Sequence, residues 1–249
     1  MPYQQAARGG LSPGLVLEGL TTCVNYADFL DESLSKNIVH FDDFLVITTP
    51  DDKQTAAVCQ KHSVRCLKTD VFSERSGHRF CKGKAIDLGI AHLPHEGWLL
   101  HLDADIVLPD RFRWQLQQHA LDARCIYGAD RVNVIGSREW DRIQQYPVVR
   151  RQFSHRYLIQ TPPKPIAARV LHHDYGWCPI GYFQLWHASA GRRYPHNQGS
   201  AEHTDLLFAL QWPRQRRRLL PELIVYHLES EAARMGTNWS GRKTQPFRP

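Results

Sequence analysis

The sequence lacks several features that would assign it to a specialised class. No apolar run is long enough to cross a bilayer, and residues 1–10 do not pair a basic stretch with an apolar one as a secretion signal does. There is no Cys-x-x-Cys pair, no internal repeat and no low-complexity tract. Secretion and membrane insertion are therefore not expected, and the six scattered cysteines predict reduced thiols in a cytoplasmic protein.

The composition is that of a folded globular chain. Of its 249 residues, 42% are hydrophobic and 22% are charged, and the length suits one large core, so we expect a single domain spanning 1–249. The formal net charge is +6. Residues 138–169 hold seven basic and two acidic residues, so this segment accounts for most of the excess.

Strand and helix patterns alternate along most of the chain, which predicts an α/β fold with a mostly parallel central sheet and helices on both faces. Asp28 is the expected cap of the first helix, and 146–168 is expected to be irregular. The predicted strands are 15–24, 44–49, 64–69, 98–102, 125–134, 180–187 and 219–226; the predicted helices are 29–38, 52–62, 82–93, 111–121 and 204–212, with a short one around Trp140.

The most informative motif is Asp103-Ala104-Asp105, which follows a strongly apolar strand. Carboxylates two residues apart in extended chain point the same way, and ligands of open α/β sheets bind at the carboxyl ends of strands. Two adjacent buried anions are costly unless a cation joins them, and a divalent ion that also binds phosphate meets that need. The alternative is that Asp103 starts a turn and Asp105 caps a neighbouring element.

With this motif the sequence resembles the GT-A-fold glycosyltransferases, in particular family 2, with a C-terminal half similar to metal-dependent galactosyltransferases. The resemblance implies a Rossmann-like GT-A sheet with a nucleotide-sugar-binding half (15–134), an acceptor-binding half (135–228) and a flexible tail (229–249). It implies Mn²⁺ or Mg²⁺ held by Asp103 and Asp105 against the diphosphate of a donor such as a UDP-sugar. The segments that carry it are 20–24, 80–85, 102–105, 181–185, 204–206 and 226–227.

The same resemblance implies contacts with the donor. The base and ribose would meet Thr21, Thr22 and Asp51 or Asp52, although either aspartate could instead cap the following helix. The phosphates would meet at least one of three cations that precede or open a helix, and these cations could equally be solvated surface charges. They are Arg79, Lys82 and Lys84.

Three further roles follow from the resemblance. His227 matches the position of a third metal ligand, and imidazole beside two carboxylates favours Mn²⁺ over Mg²⁺. Asp205 matches the base of inverting members, with Glu202 near the preceding acidic position, which is Thr204 here. Trp239 and Lys243 lie in a tail that would close over the diphosphate. Packing, a helix start and a disordered terminus are the respective alternatives.

For the acceptor, arginines between aromatic residues in 138–169 favour a polyanion with stackable bases. A hydroxymethylated base in DNA, in a bacterial or phage-infected cell, is the specific candidate, and a polysaccharide or lipid-linked glycan is the alternative. The arginines could equally form a solvated face on an enzyme that glycosylates a neutral sugar. Two other classes remain open: a sugar-phosphate nucleotidyltransferase, whose Gly-rich loop after the first strand is missing here, and a non-catalytic basic nucleic-acid-binding module.

Overall fold

The computed structural model describes residues 14–72, 80–145, 170–172, 176–196, 201, 203–230 and 246–248. Its centre is an eight-stranded sheet with strand order β3-β2-β1-β4-β9-β6-β10-β5, beside a two-stranded hairpin of β7 and β8. The strands are β1 (Leu17–Thr22), β2 (Asp43–Thr48), β3 (Arg65–Lys68), β4 (Trp98–Asp103), β5 (Ile106–Val107), β6 (Ile126–Ile135), β7 (Val170–His172), β8 (Gly176–Cys178), β9 (Phe183–His187) and β10 (Arg217–Glu229).

The direction of the strands decides where their ends meet. Strands β1 to β4 are parallel, β9 runs antiparallel to both β4 and β6, and β10 is parallel to β6. The carboxyl ends of β1, β2, β4, β6 and β10 therefore lie along the same edge of the sheet. The short strand β5 turns back and pairs antiparallel with β10.

Helices cover both faces of the sheet, as the alternating packing partners of the β2 side chains show. Phe44 and Val46 pack with α1 (Ala27–Asn37) and α2 (Lys53–Lys61) on one face, whereas Leu45 and Ile47 pack with α3 (Lys82–Ile90) on the other. This confirms the expected α/β class with a mostly parallel sheet. The helices are α1 (Ala27–Asn37), α2 (Lys53–Lys61), α3 (Lys82–Ile90), α4 (Phe112–Gln117), α5 (Ser137–Gln145) and α6 (Thr204–Ala209).

The start of α1 differs from the prediction. Tyr26 precedes the helix, and Asp28 lies inside its first turn without capping it. The Asp28 carboxylate instead accepts a hydrogen bond from the backbone N–H of Phe247 at 2.7 Å. Strand β5 and the β7–β8 hairpin were not predicted, because each has only two or three residues per strand.

The expected flexible tail needs correction at both of its ends. Glu229 is the last residue of β10, and Phe247 is buried against Phe29 of α1, with ring centroids 5.0 Å apart. Arg248 binds the carboxylates of Glu32 and Asp141, which joins α1 to α5. The C-terminal segment is thus anchored to the core at 246–248. In the part of the chain that the structure describes, no helix has the length and apolar character needed to cross a membrane.

Candidate active site at the carboxyl edge of the sheet

The carboxyl edge brings three predicted residues together around one ammonium group. Asp103 ends β4 directly beside Thr22 of β1. Lys82, the first residue of α3, places its Nζ 2.7 Å from Asp103 Oδ1 and 3.8 Å from Asp205 Oδ2. A lysine at the start of a helix therefore links the end of a central strand to the start of α6.

This contact fixes the charges of the pair. Burial acts to raise the pKa of Asp103, but the Lys82 ammonium, with smaller effects of two histidines, outweighs it and holds that pKa at about 2. Burial acts to lower the pKa of Lys82, and the carboxylates of Asp103 and Asp205 raise it instead. Both groups are thus ionised near neutral pH.

The second aspartate of the motif faces β10. Asp105 Oδ2 lies 3.3 Å from His227 Nε2, and His227 Nδ1 lies 3.1 Å from Glu229 Oε1 and 3.3 Å from Asn133 Oδ1. Burial acts to lower the pKa of His227, but Asp105 and Glu229 raise it to about 9. The imidazole is therefore protonated at neutral pH: it lies between the carboxylates of Asp105 and Glu229 as an ion pair with each, and its Nδ1–H donates to Asn133 Oδ1.

Helix α1 holds the turn that carries the motif. The Ser33 hydroxyl donates to the Ala104 carbonyl at 2.6 Å, and the Asn37 amide group donates to the Ile106 carbonyl at 2.7 Å and accepts from the Leu108 N–H at 2.8 Å. All these groups are buried. The backbone around the two carboxylates is thus fixed by side chains that no motif would identify.

Asp205 lies against the backbone of Gly181. A Cβ at Gly181 would stand 1.9 Å from Asp205 Oδ2, so the carboxylate occupies space that only glycine leaves open. Burial and the nearby Asp103 raise the pKa of Asp205 to about 6, against the opposite effect of Lys82. A carboxylate with a pKa near the operating pH is suited to accept a proton.

A chain of buried hydrogen bonds links β4 and β9 to the first turn of α6. The Tyr194 hydroxyl donates to Gln184 Oε1 and lies 3.1 Å from His101 Nδ1. Gln184 Nε2 donates to the carbonyl oxygens of Asp205, at 2.9 Å, and Pro179, at 3.1 Å. Because Tyr194 uses its only proton on Gln184, His101 Nδ1 must be the donor to Tyr194. Burial lowers the pKa of His101 to about 3, which keeps this ring neutral.

The residues predicted to contact the base and ribose lie at the same edge of the sheet, but they differ in exposure and in their existing hydrogen bonds. Thr21 and Thr22 are buried at the end of β1, and Asp51 is exposed after β2. Asp52 has the structural role that was its alternative: it caps α2 by accepting from the Thr55 N–H at 3.0 Å. Its carboxylate also accepts from the Asn25 N–H and from the hydroxyls of Thr48 and Thr55.

The remaining phosphate and tail contacts stay predictions. Lys84 is exposed on α3, two residues after Lys82. Arg79, Glu202, Trp239 and Lys243 lie outside the described residues.

The acceptor hypothesis loses one of its aromatic residues. Trp140 is fully buried, packs near Tyr226 and donates its indole N–H to Glu32, so it is unavailable to stack on a base. The spacing of Trp140 and Ile143 on the polar helix α5 is a signal that could have placed both in the core. Tyr146, Phe153 and Tyr157 lie outside the described residues.

The sequence analysis did not identify the residues that surround and orient the candidate site side chains. Glu229 has a histidine partner two residues away in β10, a spacing that places both side chains on one face of a strand. Arg131 of β6 was also missed; its positive charge acts on both His227 and Glu229, and its guanidinium lies 4.8 Å from the centroid of the Tyr182 ring. Gln184 lies in segment 181–185, which carries the resemblance but implied no role for this side chain, and Tyr194 lies in none of those segments.

The donor set fits a divalent cation, although it is not a complete metal centre. Among the described residues, no three His, Cys, Asp or Glu side chains are grouped closely enough to hold a metal by themselves. Asp105 Oδ1 is nevertheless buried, and no described residue donates a hydrogen bond to it. A carboxylate behind the far nitrogen of a histidine, as Glu229 lies behind His227, is the usual support of a metal-binding imidazole.

No protein-family model matches the chain, and no curated protein matches it. The solved structures with some similarity include two sugar-3-phosphoglycerate synthases. Mannosyl-3-phosphoglycerate synthase from Rubrobacter xylanophilus is 17% identical over 48% of this chain and 41% of its own, with a TM-score of 0.37. Glucosyl-3-phosphoglycerate synthase from Mycobacterium tuberculosis, in complex with Mn²⁺, UDP-glucose and phosphoglyceric acid, is 10% identical over 86% of this chain and 72% of its own, with a TM-score of 0.48.

The chain thus spans less than half the length of the first of these proteins. With identities below 25% and TM-scores below 0.5, the likeness does not assign an activity. An activity has to follow from the residues of the site.

Proposed function

We propose that the protein is a metal-dependent glycosyltransferase that moves a sugar from a nucleoside diphosphate sugar, UDP-linked, to an acceptor hydroxyl. The observation that carries this proposal is the convergence of Asp103, Asp105, His227, Lys82 and Asp205 at the carboxyl edge of the sheet. Such an edge is where open α/β sheets bind nucleotides. Neither a nucleic-acid-binding module nor a packed core requires buried carboxylates of this number there.

Different residues would bind the metal ion and the diphosphate of the donor. Asp105 and His227, with Asp103 beside them, would hold Mn²⁺ or Mg²⁺, and the diphosphate would supply further oxygen ligands. The cation would offset the charge that develops on the leaving diphosphate. Lys82 can add a second positive charge to the same phosphates, because its flexible stem allows the ammonium to turn from Asp103.

Asp205 would act on the acceptor. Its pKa of about 6 leaves it mostly ionised at pH 7, so it can accept the proton of the attacking hydroxyl. Proton removal on the face opposite the departing diphosphate gives an inverting displacement. The anomeric configuration of the product tests this step: a product with the configuration of the donor would contradict it.

The acceptor in this proposal is an anion. Arg138 is exposed at the first turn of α5, which follows the end of β6 at the same edge of the sheet as the carboxylates. Arg131 adds a charge from β6 itself. A hydroxymethylated base in duplex DNA is the specific candidate, and a polysaccharide or lipid-linked phosphate is the alternative. The six free thiols agree with work in a reducing cytoplasm.

The donor proposal is tested by thermal unfolding with UDP, GDP and ADP, each with and without Mn²⁺. We expect UDP with Mn²⁺ to raise the Tm, since a ligand that binds only the native state stabilises it. Asp105→Asn should abolish the Mn²⁺-dependent part of the shift, whereas Asp110→Asn, which removes an exposed aspartate three residues after β5, should keep it. An equal shift in both variants, or none in the wild type, would refute the proposal.

The acceptor proposal is tested separately with labelled UDP-sugar and hydroxymethylated duplex DNA. Binding through phosphates should weaken steeply with added salt because counterions are released. Unmodified DNA of the same sequence is the control for incorporation. If hydroxymethylated DNA neither binds nor becomes labelled, the nucleic-acid acceptor is excluded and the glycan or lipid acceptor replaces it.

A further inference from the structure

Two cysteines are paired at the far edge of the sheet, away from the proposed site. Cys59 lies near the end of α2 and Cys66 lies in edge strand β3, which β2 and β1 separate from β4. The backbone N–H of Val64 donates to the Cys59 carbonyl at 2.9 Å and closes the connection between the two elements. Cys59 belongs to a buried hydrophobic cluster on this face of the sheet, and Cys66 packs against the same cluster.

The two thiols differ in exposure. Cys59 is buried, with 1% of its surface accessible, whereas Cys66 is partly exposed. Both line an open cleft of about 420 Å³ between α2 and β3, and Lys53 and Lys68 line the same cleft. The positive charges of Lys53 and Lys68 therefore favour the approach of a negatively charged reactant to Cys66. Cys59 is the less accessible of the two thiols.

The two thiols also differ in pKa: the more accessible one, Cys66, ionises more readily. The neighbouring Cys59 thiol and, to a smaller extent, the Lys68 ammonium lower the pKa of Cys66 to about 7. The Cys66 thiolate and burial raise the pKa of Cys59. In such a pair the more accessible thiolate attacks first, and the buried thiol then displaces the leaving thiolate from the mixed disulfide.

We propose that Cys59 and Cys66 form a reversible disulfide by exchange with an anionic low-molecular-weight disulfide. The Cys66 thiolate attacks one sulfur of that molecule, and a mixed disulfide forms as the first small thiolate leaves. The Cys59 sulfur then gives up its proton and attacks the Cys66 sulfur, which releases the second small thiolate. Two protein thiols and one small disulfide thus become one protein disulfide and two small thiols, with the protons carried by the released thiols.

The experiment exposes the native full chain to oxidised glutathione, followed by acid quenching, alkylation of free thiols, trypsin digestion and mass spectrometry. Trypsin separates the two cysteines into peptides 54–61 and 66–68, so the disulfide appears as this cross-linked pair. We expect the pair in the wild type and in Cys125→Ala, a buried cysteine outside the cleft, and its reversal by excess reduced glutathione. Cys59→Ala should instead accumulate the mixed disulfide on Cys66, with Cys59→Ser as the substitute if the first variant does not fold.

A second measurement tests the role of the cleft. With rates expressed per Cys66 thiolate, Lys68→Gln should slow the reaction with anionic oxidised glutathione about three- to fivefold, as loss of one charge near the sulfur predicts, and should not slow the reaction with cationic cystamine. The proposal is overturned if the wild type retains the mixed disulfide on Cys66 without the cross-link. It is also overturned if Cys66 reacts only after denaturation, or if Lys68→Gln slows both reagents equally.

Discussion

The ammonium of Lys82 controls the protonation of Asp205, and Lys82→Gln removes this control while keeping a polar side chain of similar length. Lys82 Nζ and Asp205 Oδ2 are 3.8 Å apart. Two unit charges at that distance attract by about 1 kcal/mol in water and about 4 kcal/mol at an effective dielectric constant of 20. Since 1.36 kcal/mol corresponds to one pKa unit, Lys82→Gln should raise the pKa of Asp205 by about one to three units.

The sign of this shift is unambiguous. Removing a cation disfavours the ionised carboxylate, so Asp205 would move from about 6 to about 7 or higher. Asp103 also loses the partner that lowers its pKa, and because its contact with Lys82 is the shorter of the two, its pKa rises as well. Asp205 is then protonated in a larger fraction of molecules at neutral pH, and its capacity as a base falls.

The pKa is measured directly by NMR of the protein labelled at the aspartate carboxyl carbons, and no acceptor is needed. Asp205→Asn identifies the signal by its disappearance. Lys84→Gln is the matched control, because it removes the same charge from an exposed position of α3. The reasoning is refuted if Asp205 titrates near 4 in the wild type, or if Lys82→Gln moves the titration no further than Lys84→Gln does.

Three further outcomes follow from the structure. Because the His227 proton must leave before the nitrogen can bind a cation, Mn²⁺ affinity measured by calorimetry should rise about tenfold per pH unit below pH 9, and a flat profile would remove His227 from the site. Gly181→Ala should displace the Asp205 carboxylate and lower turnover about 100-fold, while the Kd for UDP with Mn²⁺ changes less than about twofold. An equal loss of turnover and of UDP affinity would contradict a role of Gly181 confined to positioning Asp205. Phe247→Ala should cost about 3–5 kcal/mol in urea unfolding, and a loss below about 1 kcal/mol would show that the C-terminal anchor contributes little.

The sequence predicted the sheet more fully than the site. The apolar run that becomes β4 is buried on both faces, and such runs identify central strands by composition alone. The Asp103 and Asp105 pair could be placed at the carboxyl edge for the same reason. The direction of β9 could not be predicted, because an apolar strand looks the same in either orientation. That direction sets Gln184 opposite His101 and thereby places the hydrogen-bond chain beneath Asp205.

Contacts between distant segments account for the other differences. Asp28 has the sequence of a helix cap, but a partner more than 200 residues away, Phe247, occupies its carboxylate. Asp52 has the same character and does cap its helix, since Thr48 and Thr55 lie within a few residues of it and Asn25 lies in the loop that follows the neighbouring strand β1. Local patterns therefore predict the local hydrogen bonds, and they fail where the tertiary fold supplies a competing donor.

The arrangement of charges explains why the carboxylates can be held together before any ligand arrives. Buried anions must be neutralised, and Lys82 and the protonated His227 each bridge two carboxylates at the edge of the sheet. Both are cations that can release their partners: Lys82 by rotation of a long stem, and His227 by loss of a proton. A divalent ion and a diphosphate, which bring their own charges of both signs, can therefore replace these contacts without a change in the backbone that Ser33 and Asn37 hold.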